Sequence, residues 1–245
     1  MPGFHLAEHR LQPCRVEEFH GLVFVNLDND VPTLAQAMPG LADRLAEYAP
    51  DLPQLTFVHR TQADLRSNWK IAVENYSECY HCEIVHKSFF GEGKVSAASY
   101  RIELHGHWHE HLAESGYQPT GEEGSDHAAE FGAWWMWPNF AIQSHPGYLV
   151  NVRQWVPLAV DHTRVTVDWF LPQGAMNEAY REQFLEHAAT VFQEDIPLVE
   201  SVQQGVSSRA YRPGPLMIDE GSTGMSEHAV GAIQALWREA MGPNL

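Results

Sequence analysis

From about Ser99 to Leu171 the chain alternates short β-forming segments with turn residues, and no other feature restricts its fold as strongly. The segments are Tyr100 to Leu112, Phe131 to Trp137, Phe140 to Gln143, Tyr148 to Val156 and Arg164 to Leu171, with Pro138-Asn139, Pro146-Gly147 and Asp161-His162 between them. Strands at this spacing predict an antiparallel meander. Asn177 to Gln204 then reads as a long helix with Phe184, Ala188, Val191, Val199 and Val202 on its apolar side. Ser226 to Met241 reads as a final helix with Ser226 as its N-cap. Upstream, Val16 to Asp28 is a turn into a strand that lacks a local partner. Leu41, Leu45 and Tyr48 mark a short amphipathic helix after Pro39-Gly40, and Leu55 to Leu65 is a further strand. The expected class is α+β, a curved antiparallel sheet packed against long helices.

Composition narrows the functional classes. A chain of 245 residues, 44% hydrophobic, can bury one substantial core or two modest ones. A formal charge of −17, from 32 acids against 15 Lys and Arg, opposes nucleic-acid binding. Apolar runs such as Leu22 to Leu27 are strand-sized, too short for a membrane span, and Met1 to Arg10 lacks the features of a secretory signal. Three cysteines make no disulfide framework, so the expectation is a cytoplasmic protein in a reducing compartment. Fifteen histidines and eight tryptophans point instead to metal ligation and an aromatic pocket.

The stretch Asn68 to His86 concentrates the chemistry. It reads as a helix through Val85 that carries His81 and His86 five residues apart. On an ideal helix that offset is roughly 140°, so both rings reach one metal only across a helix end or a π-type bulge. Glu78, three residues before His81, shares nearly its face. In a chain with fifteen histidines, such a pair alone means little. Cys79-x2-Cys82 lacks the second ligand pair of a zinc site and the strand-to-helix setting of a redox motif, so both thiols read as helix packing or as groups lying behind a site. His105, His107, His109 and His111 alternate, which predicts four imidazoles on one strand face, solvated or lining a polar cavity more readily than holding a second metal. Trp134, Trp135, Trp137, Tyr148 and Trp155 are the candidate pocket aromatics; Trp134, Trp137, Tyr148 and Trp155 are taken as substrate contacts.

The run Asn-Trp-Lys-x3-Glu-Asn-Tyr-x-Glu-Cys-Tyr-His-x4-His, residues 68–86, resembles the iron-binding helix of Rieske-type non-haem iron oxygenase α-subunits. Val16 to Asp28 is similar to the closing strand of that family's Rieske domain. Gln193 to Gly205 is similar to its C-terminal carboxylate-bearing helix, and Ser208 to Leu216 to its tail. The resemblance covers nearly the whole chain with its motifs in order. It implies a helix-grip fold and a mononuclear Fe(II) held by His81, His86 and Asp195, with Glu194 the competing carboxylate. It also implies Glu78 as the acid bridging to a neighbouring subunit, Asn75 beside the iron, and Tyr80 as a structural aromatic. Glu rather than Asp at position 78 is associated with family members acting on carnitine and other quaternary ammonium compounds.

The family's [2Fe–2S] cluster needs Cys-x-His and Cys-x2-His loops. Cys79-Tyr80-His81 matches the first in form only, Cys82 stands beside it with His86 four residues on, and Cys14 has no His nearby. The expectation is therefore a remnant of the Rieske domain's closing strand over residues 1–30 and a catalytic domain over 31–245. Such a domain would use O2 to hydroxylate or N-demethylate a small organic substrate. It would depend on an external Rieske cluster donor and an NAD(P)H-dependent reductase, and would form a homo-oligomer, a trimer by resemblance. The alternatives are an aromatic ring-hydroxylating dioxygenase component and a non-catalytic helix-grip ligand-binding domain.

Overall fold

The computed structural model describes residues 5, 11–90, 95–115, 130–145, 149–174 and 178–242. Tyr148 and Pro146-Gly147 fall outside this set, as do the side chains of Ala188 and Val191. The first ordered unit corrects an expectation: the Val16–Asp28 strand does have a local partner. β1 (Arg15–Phe19) and β2 (Leu22–Asn26) pair antiparallel with Phe19 opposite Leu22. The two residues between them, His20 and Gly21, have φ of 50° and 80°. Positive φ at both central positions is the type I′ arrangement whose twist matches a hairpin.

The other strands form one seven-stranded antiparallel sheet, in the order β3-β9-β8-β7-β6-β5-β4. They are β3 (Thr56–Leu65), β4 (Arg101–Leu104), β5 (Trp108–Glu114), β6 (Glu130–Met136), β7 (Phe140–His145), β8 (Leu149–Ala159) and β9 (His162–Leu171). The expected Tyr100–Leu112 strand is in fact a hairpin, because the chain reverses at His105-Gly106-His107 with Gly106 at φ 80°. The expected row of four histidines is thereby broken. His105 and His107 lie in the turn, and only His109 and His111 share a strand face, where both are buried. The turn before β9 is Val160-Asp161, one residue earlier than expected.

Period-two alternation gives the sheet two apolar faces. Trp108, Leu112, Trp134, Met136, Ile142, Val150 and Val152 face the layer made by α1 (Leu34–Ala37), α2 (Leu41–Tyr48) and the β1–β2 hairpin. There Leu41 and Leu45 are fully buried, and Phe24 meets Phe140 edge-on at 5.4 Å. The opposite face presents Trp135, Ala141, Leu149, Trp155, Val165, Val167, Trp169 and Leu171 to α3 (Trp69–Tyr76), α6 (Glu178–Val206) and α7 (His228–Met241). On α6, Phe184 and Val199 are buried and Ile196 packs against the same core. Val202, expected on the apolar side, is 44% exposed, while the neighbouring Gln203 accepts from the Asn68 amide. Ser226 is not the cap of α7: Glu227 occupies that position, while the Ser226 hydroxyl accepts from the Asp219 amide.

Candidate metal centre

The expected helix from Asn68 to Val85 is interrupted, and the interruption builds the site. α3 opens with the Asn68 side chain accepting from the Lys70 amide, 3.0 Å away, and ends at Tyr76. The Ser77 hydroxyl folds back onto the Val73 carbonyl at 2.7 Å. The Cys79 amide then donates to the Gly224 carbonyl at 3.1 Å, tying the turn to the segment before α7. One short helix, α4 (Cys82–Val85), follows, with His81 immediately before it and His86 immediately after; α5 (Lys87–Phe90) comes next. Of the two devices open to a five-residue spacing, the chain uses a helix end. The His81 and His86 ring centroids are 5.1 Å apart and their Nε2 atoms 3.2 Å apart.

Asp195 on α6 completes the cluster. Its Oδ1 lies 3.2 Å from His86 Nε2 and 3.6 Å from His81 Nε2. Glu194, its neighbour on the same helix, instead reaches the rear of His86, with Oε2 2.8 Å from Nδ1. Glu78 does the same for His81, with Oε1 2.5 Å from Nδ1, and its other oxygen accepts from the Tyr80 amide. Asn75 on α3 donates to Asp195 Oδ1 at 3.1 Å. Each imidazole therefore has a carboxylate behind it and its other nitrogen facing inward. When Nδ1–H donates to the rear carboxylate, the inward Nε2 bears a lone pair. Two such lone pairs and a carboxylate oxygen facing one another are a donor set for a cation.

The electrostatics agree. Burial disfavours protonated imidazole at both positions, but Asp195 and Glu78 outweigh it at His81, which is held up at about 9. Asp195 and Glu194 likewise raise His86. Burial alone would raise Asp195, yet hydrogen bonds from His81 and His86 hold it well below the usual carboxylate range. Protons that occupy the inward nitrogens are the ones a metal ion displaces on binding. Two imidazoles and one carboxylate with open positions suit non-haem Fe(II). The Cys82 sulfur also lies near both rings, but it is bonded to Cys79. Both cysteines are packed in the core as expected, but not as free thiols: the turn after Tyr76 brings the two Cα atoms to 4.9 Å, within disulfide reach.

A cavity opens in front of the cluster. Tyr76, Phe90, Tyr100, Phe131 and Trp169 supply its aromatic wall, and His111, Gln143, His145, Asn151 and Arg153 its polar side. The tryptophans expected there lie elsewhere. Trp134 is on the opposite sheet face, fully buried, its indole N–H donating to Glu110. Trp137 has left β6 and packs against Trp135, with centroids 6.2 Å apart. Trp155 is on the inward face but further along β8, lining a smaller cavity with Tyr76 and Arg153. Tyr148 lies outside the described residues. Sequence reasoning missed Asn151 and Arg153, two polar residues at inward positions of β8, although their alternation with Val150 and Val152 carried the signal.

A second group of ligand-type atoms, from Glu103, His105 and Glu110, sits at the β4–β5 turn. Glu110 there is already neutralised by Arg44, whose Nε lies 2.9 Å from its carboxylate. Among the described residues, no helix is long and apolar enough to cross a membrane.

Residues 52–243 match the family described as ring hydroxylating alpha subunit, catalytic domain. The chain is 32% identical over 244 residues to the carnitine monooxygenase oxygenase subunit of Escherichia coli (strain K12), covering 96% of this chain and 63% of that protein. It is 30% identical over 178 residues to the chloroplastic choline monooxygenase of Amaranthus tricolor, covering 71% of this chain and 38% of that one. The crystal structure of the quaternary ammonium Rieske monooxygenase CntA in complex with its substrate L-carnitine superposes with a TM-score of 0.80 at 29% identity, over 92% of this chain and 60% of that one. The chain thus spans less than two thirds of the length of these relatives. With a family match over residues 52–243 and a fold and sequence that align with these relatives, this chain belongs to the ring-hydroxylating alpha subunit family and represents its catalytic domain.

Proposed function

We propose that this chain is the iron-bearing catalytic part of a Rieske-type monooxygenase acting on quaternary ammonium compounds. His81, His86 and Asp195 hold a mononuclear Fe(II). The observation that carries this reading is the convergence of His81 Nε2, His86 Nε2 and Asp195 Oδ1, with separate carboxylates behind the two rings. Such rear partners fix the tautomer and orientation of ligating histidines. Residues 31–245 form the catalytic unit, and the β1–β2 hairpin is the part nearest the Rieske domain of a full-length enzyme. The similarity to carnitine and choline monooxygenases supports the substrate class.

When bound, the iron supplies activation of dioxygen with electrons delivered from a Rieske [2Fe–2S] centre. Hydroxylation of an N-methyl group consumes O2, two electrons and two protons. It releases water and leaves an N-hydroxymethyl ammonium, which loses its hydroxyl proton to solvent and breaks its C–N bond, the electron pair staying on nitrogen, to give the tertiary amine and formaldehyde. The chain's own residues arrange this. Glu78 and Glu194 orient the imidazoles, and Asn75 holds the Asp195 carboxylate. Tyr76, Tyr100, Phe131 and Trp169 form an apolar wall against which an alkylammonium group packs through cation–π attraction. Glu78 is the group through which an electron donor on a neighbouring subunit couples to His81. In keeping with that, the related CntA is described as using inter-subunit electron transfer. A homo-oligomer served by an NAD(P)H-dependent reductase in the cytoplasm completes the proposal.

Metal analysis after anaerobic reconstitution tests the ligand set. The wild-type chain should take up one iron, and alanine at His81, His86 or Asp195 should remove most of it while the circular dichroism stays native. Full occupancy in His86→Ala would refute the assignment.

A further inference from the structure

The polar side of the cavity contains more hydrogen-bonding capacity than the protein satisfies. Among the described residues, the Tyr76 hydroxyl, His111 Nε2 and Asn151 Oδ1 are buried without a hydrogen-bond partner, and all three residues line this cavity. Buried polar atoms are almost always paired, so such a cluster marks a place where a polar ligand belongs. Two of the three are held neutral. Burial pushes the Tyr76 phenol up to about 12, so its O–H remains a donor, and pushes His111 down to about 3.

Charge completes the picture. Arg153 is the only lysine or arginine among the described residues lining the cavity, and its guanidinium sits 5.1 Å from the Tyr76 ring centroid. The metal end carries three carboxylates, Glu78, Glu194 and Asp195. A divalent ion leaves that end one negative charge in excess, which Arg153 balances across the cavity. A purely cationic ligand would place its charge in an enclosure that already contains a guanidinium. A zwitterion adds no net charge and offers each end its complement.

Resting on the reading of this cavity as a quaternary ammonium site, we propose that Arg153 and the Tyr76 hydroxyl bind the carboxylate of the substrate. The chain therefore selects ammonium carboxylates over ammonium alcohols. Arg153 is the specificity residue: its planar fork pairs bidentately with a carboxylate, a geometry that neither an ester nor an alcohol reproduces.

Calorimetric titration of the full chain, reconstituted with Fe(II) under anaerobic conditions, tests this with γ-butyrobetaine, its methyl ester and choline. The ester keeps the ammonium group and removes only the negative charge. Wild-type protein should bind the acid at least about tenfold more tightly than the ester or choline. Arg153→Met should weaken the acid about thirtyfold, with little change for the ester, as expected for loss of a desolvated charge pair. Arg153→Lys should recover part of that loss, and Tyr76→Phe should weaken the acid about fivefold, as for one hydrogen bond. Equal wild-type affinities for acid and ester, or tighter binding of choline, would overturn the proposal while leaving the quaternary ammonium reading intact. That comparison needs no variant. Binding of naphthalene with no response to any of the three ammonium compounds would overturn the site reading itself, and the proposal with it.

Discussion

Replacing His111 with phenylalanine should flatten the acid sensitivity of this protein. His111 is 1% exposed on β5, and burial holds it at about 3, against 6.5 for an ordinary imidazole. Below pH 6.5 the unfolded chain takes up a proton at this position and the folded chain does not. Stability is therefore complete above 6.5 and declines as pH falls toward 3. Between pH 7 and pH 5 the linkage amounts to about 2 kcal/mol, since a folded value well under 5 leaves the native ring neutral throughout. The substitution has its own cost at neutral pH. The Tyr100 hydroxyl, 2.9 Å from His111 Nδ1, loses its partner, worth about 1–2 kcal/mol. The variant should thus be less stable than wild type at pH 7 and about equal to it, or more stable, at pH 5. Urea unfolding of both metal-free proteins at pH 7, 6 and 5 reads this directly, because titrations common to both cancel in the difference. Parallel stability–pH curves would show that His111 is not buried as a neutral ring.

Two further substitutions probe the packing that supports the site. At Gly132 on β6, an added Cβ would lie 2.5 and 2.8 Å from atoms of the fully buried Trp134 ring. Gly132→Ala should therefore lower the urea midpoint by the equivalent of about 1–3 kcal/mol, and an unchanged or raised midpoint would contradict that packing. Glu110 accepts from Arg44 Nε at 2.9 Å and Trp134 Nε1 at 3.1 Å in a buried position. Removing one partner of a buried pair costs about 3–5 kcal/mol. Because Arg44 also reaches Glu47, Glu110→Ala should cost about 2–3 kcal/mol. Adding Arg44→Met should recover part of the loss, and strict additivity in that double-mutant cycle would deny the coupling.

The sheet was legible in the sequence because it rests on short-range rules, and the residues of the cluster because they stand in motifs that resemble a known family. Period-two alternation and turn residues located most strands within a few positions, and α2 fell on Leu41–Tyr48 as the spacing of Leu41, Leu45 and Tyr48 required. The motif around His81 and His86, with Asp195 downstream, named the cluster that the structure gathers. Helical geometry alone showed that one continuous helix could not turn both histidines to the same metal. The choice between a bulge and a helix end depended on contacts hidden from the sequence, notably the Cys79 amide bonding Gly224, 145 positions downstream.

What tertiary structure alone decided was direction. Whether an aromatic residue on a strand faces the cavity or the opposite layer is fixed by register across the whole sheet, and a one-residue difference inverts it. That is why Trp134 went to the α2 layer, while Phe131 and Trp169 became the wall. The reversal at Gly106 removed His105 and His107 from the face that His109 and His111 retain. The pairing of Cys79 with Cys82 came from the turn that ends α3, and the different contacts of Glu194 and Asp195, one behind the His86 ring and one in front, from their successive positions around α6. Residue types and their local periods are written along the chain. The side to which each group points is settled only when distant segments pack and bury one face, because burial is a property of the assembled fold.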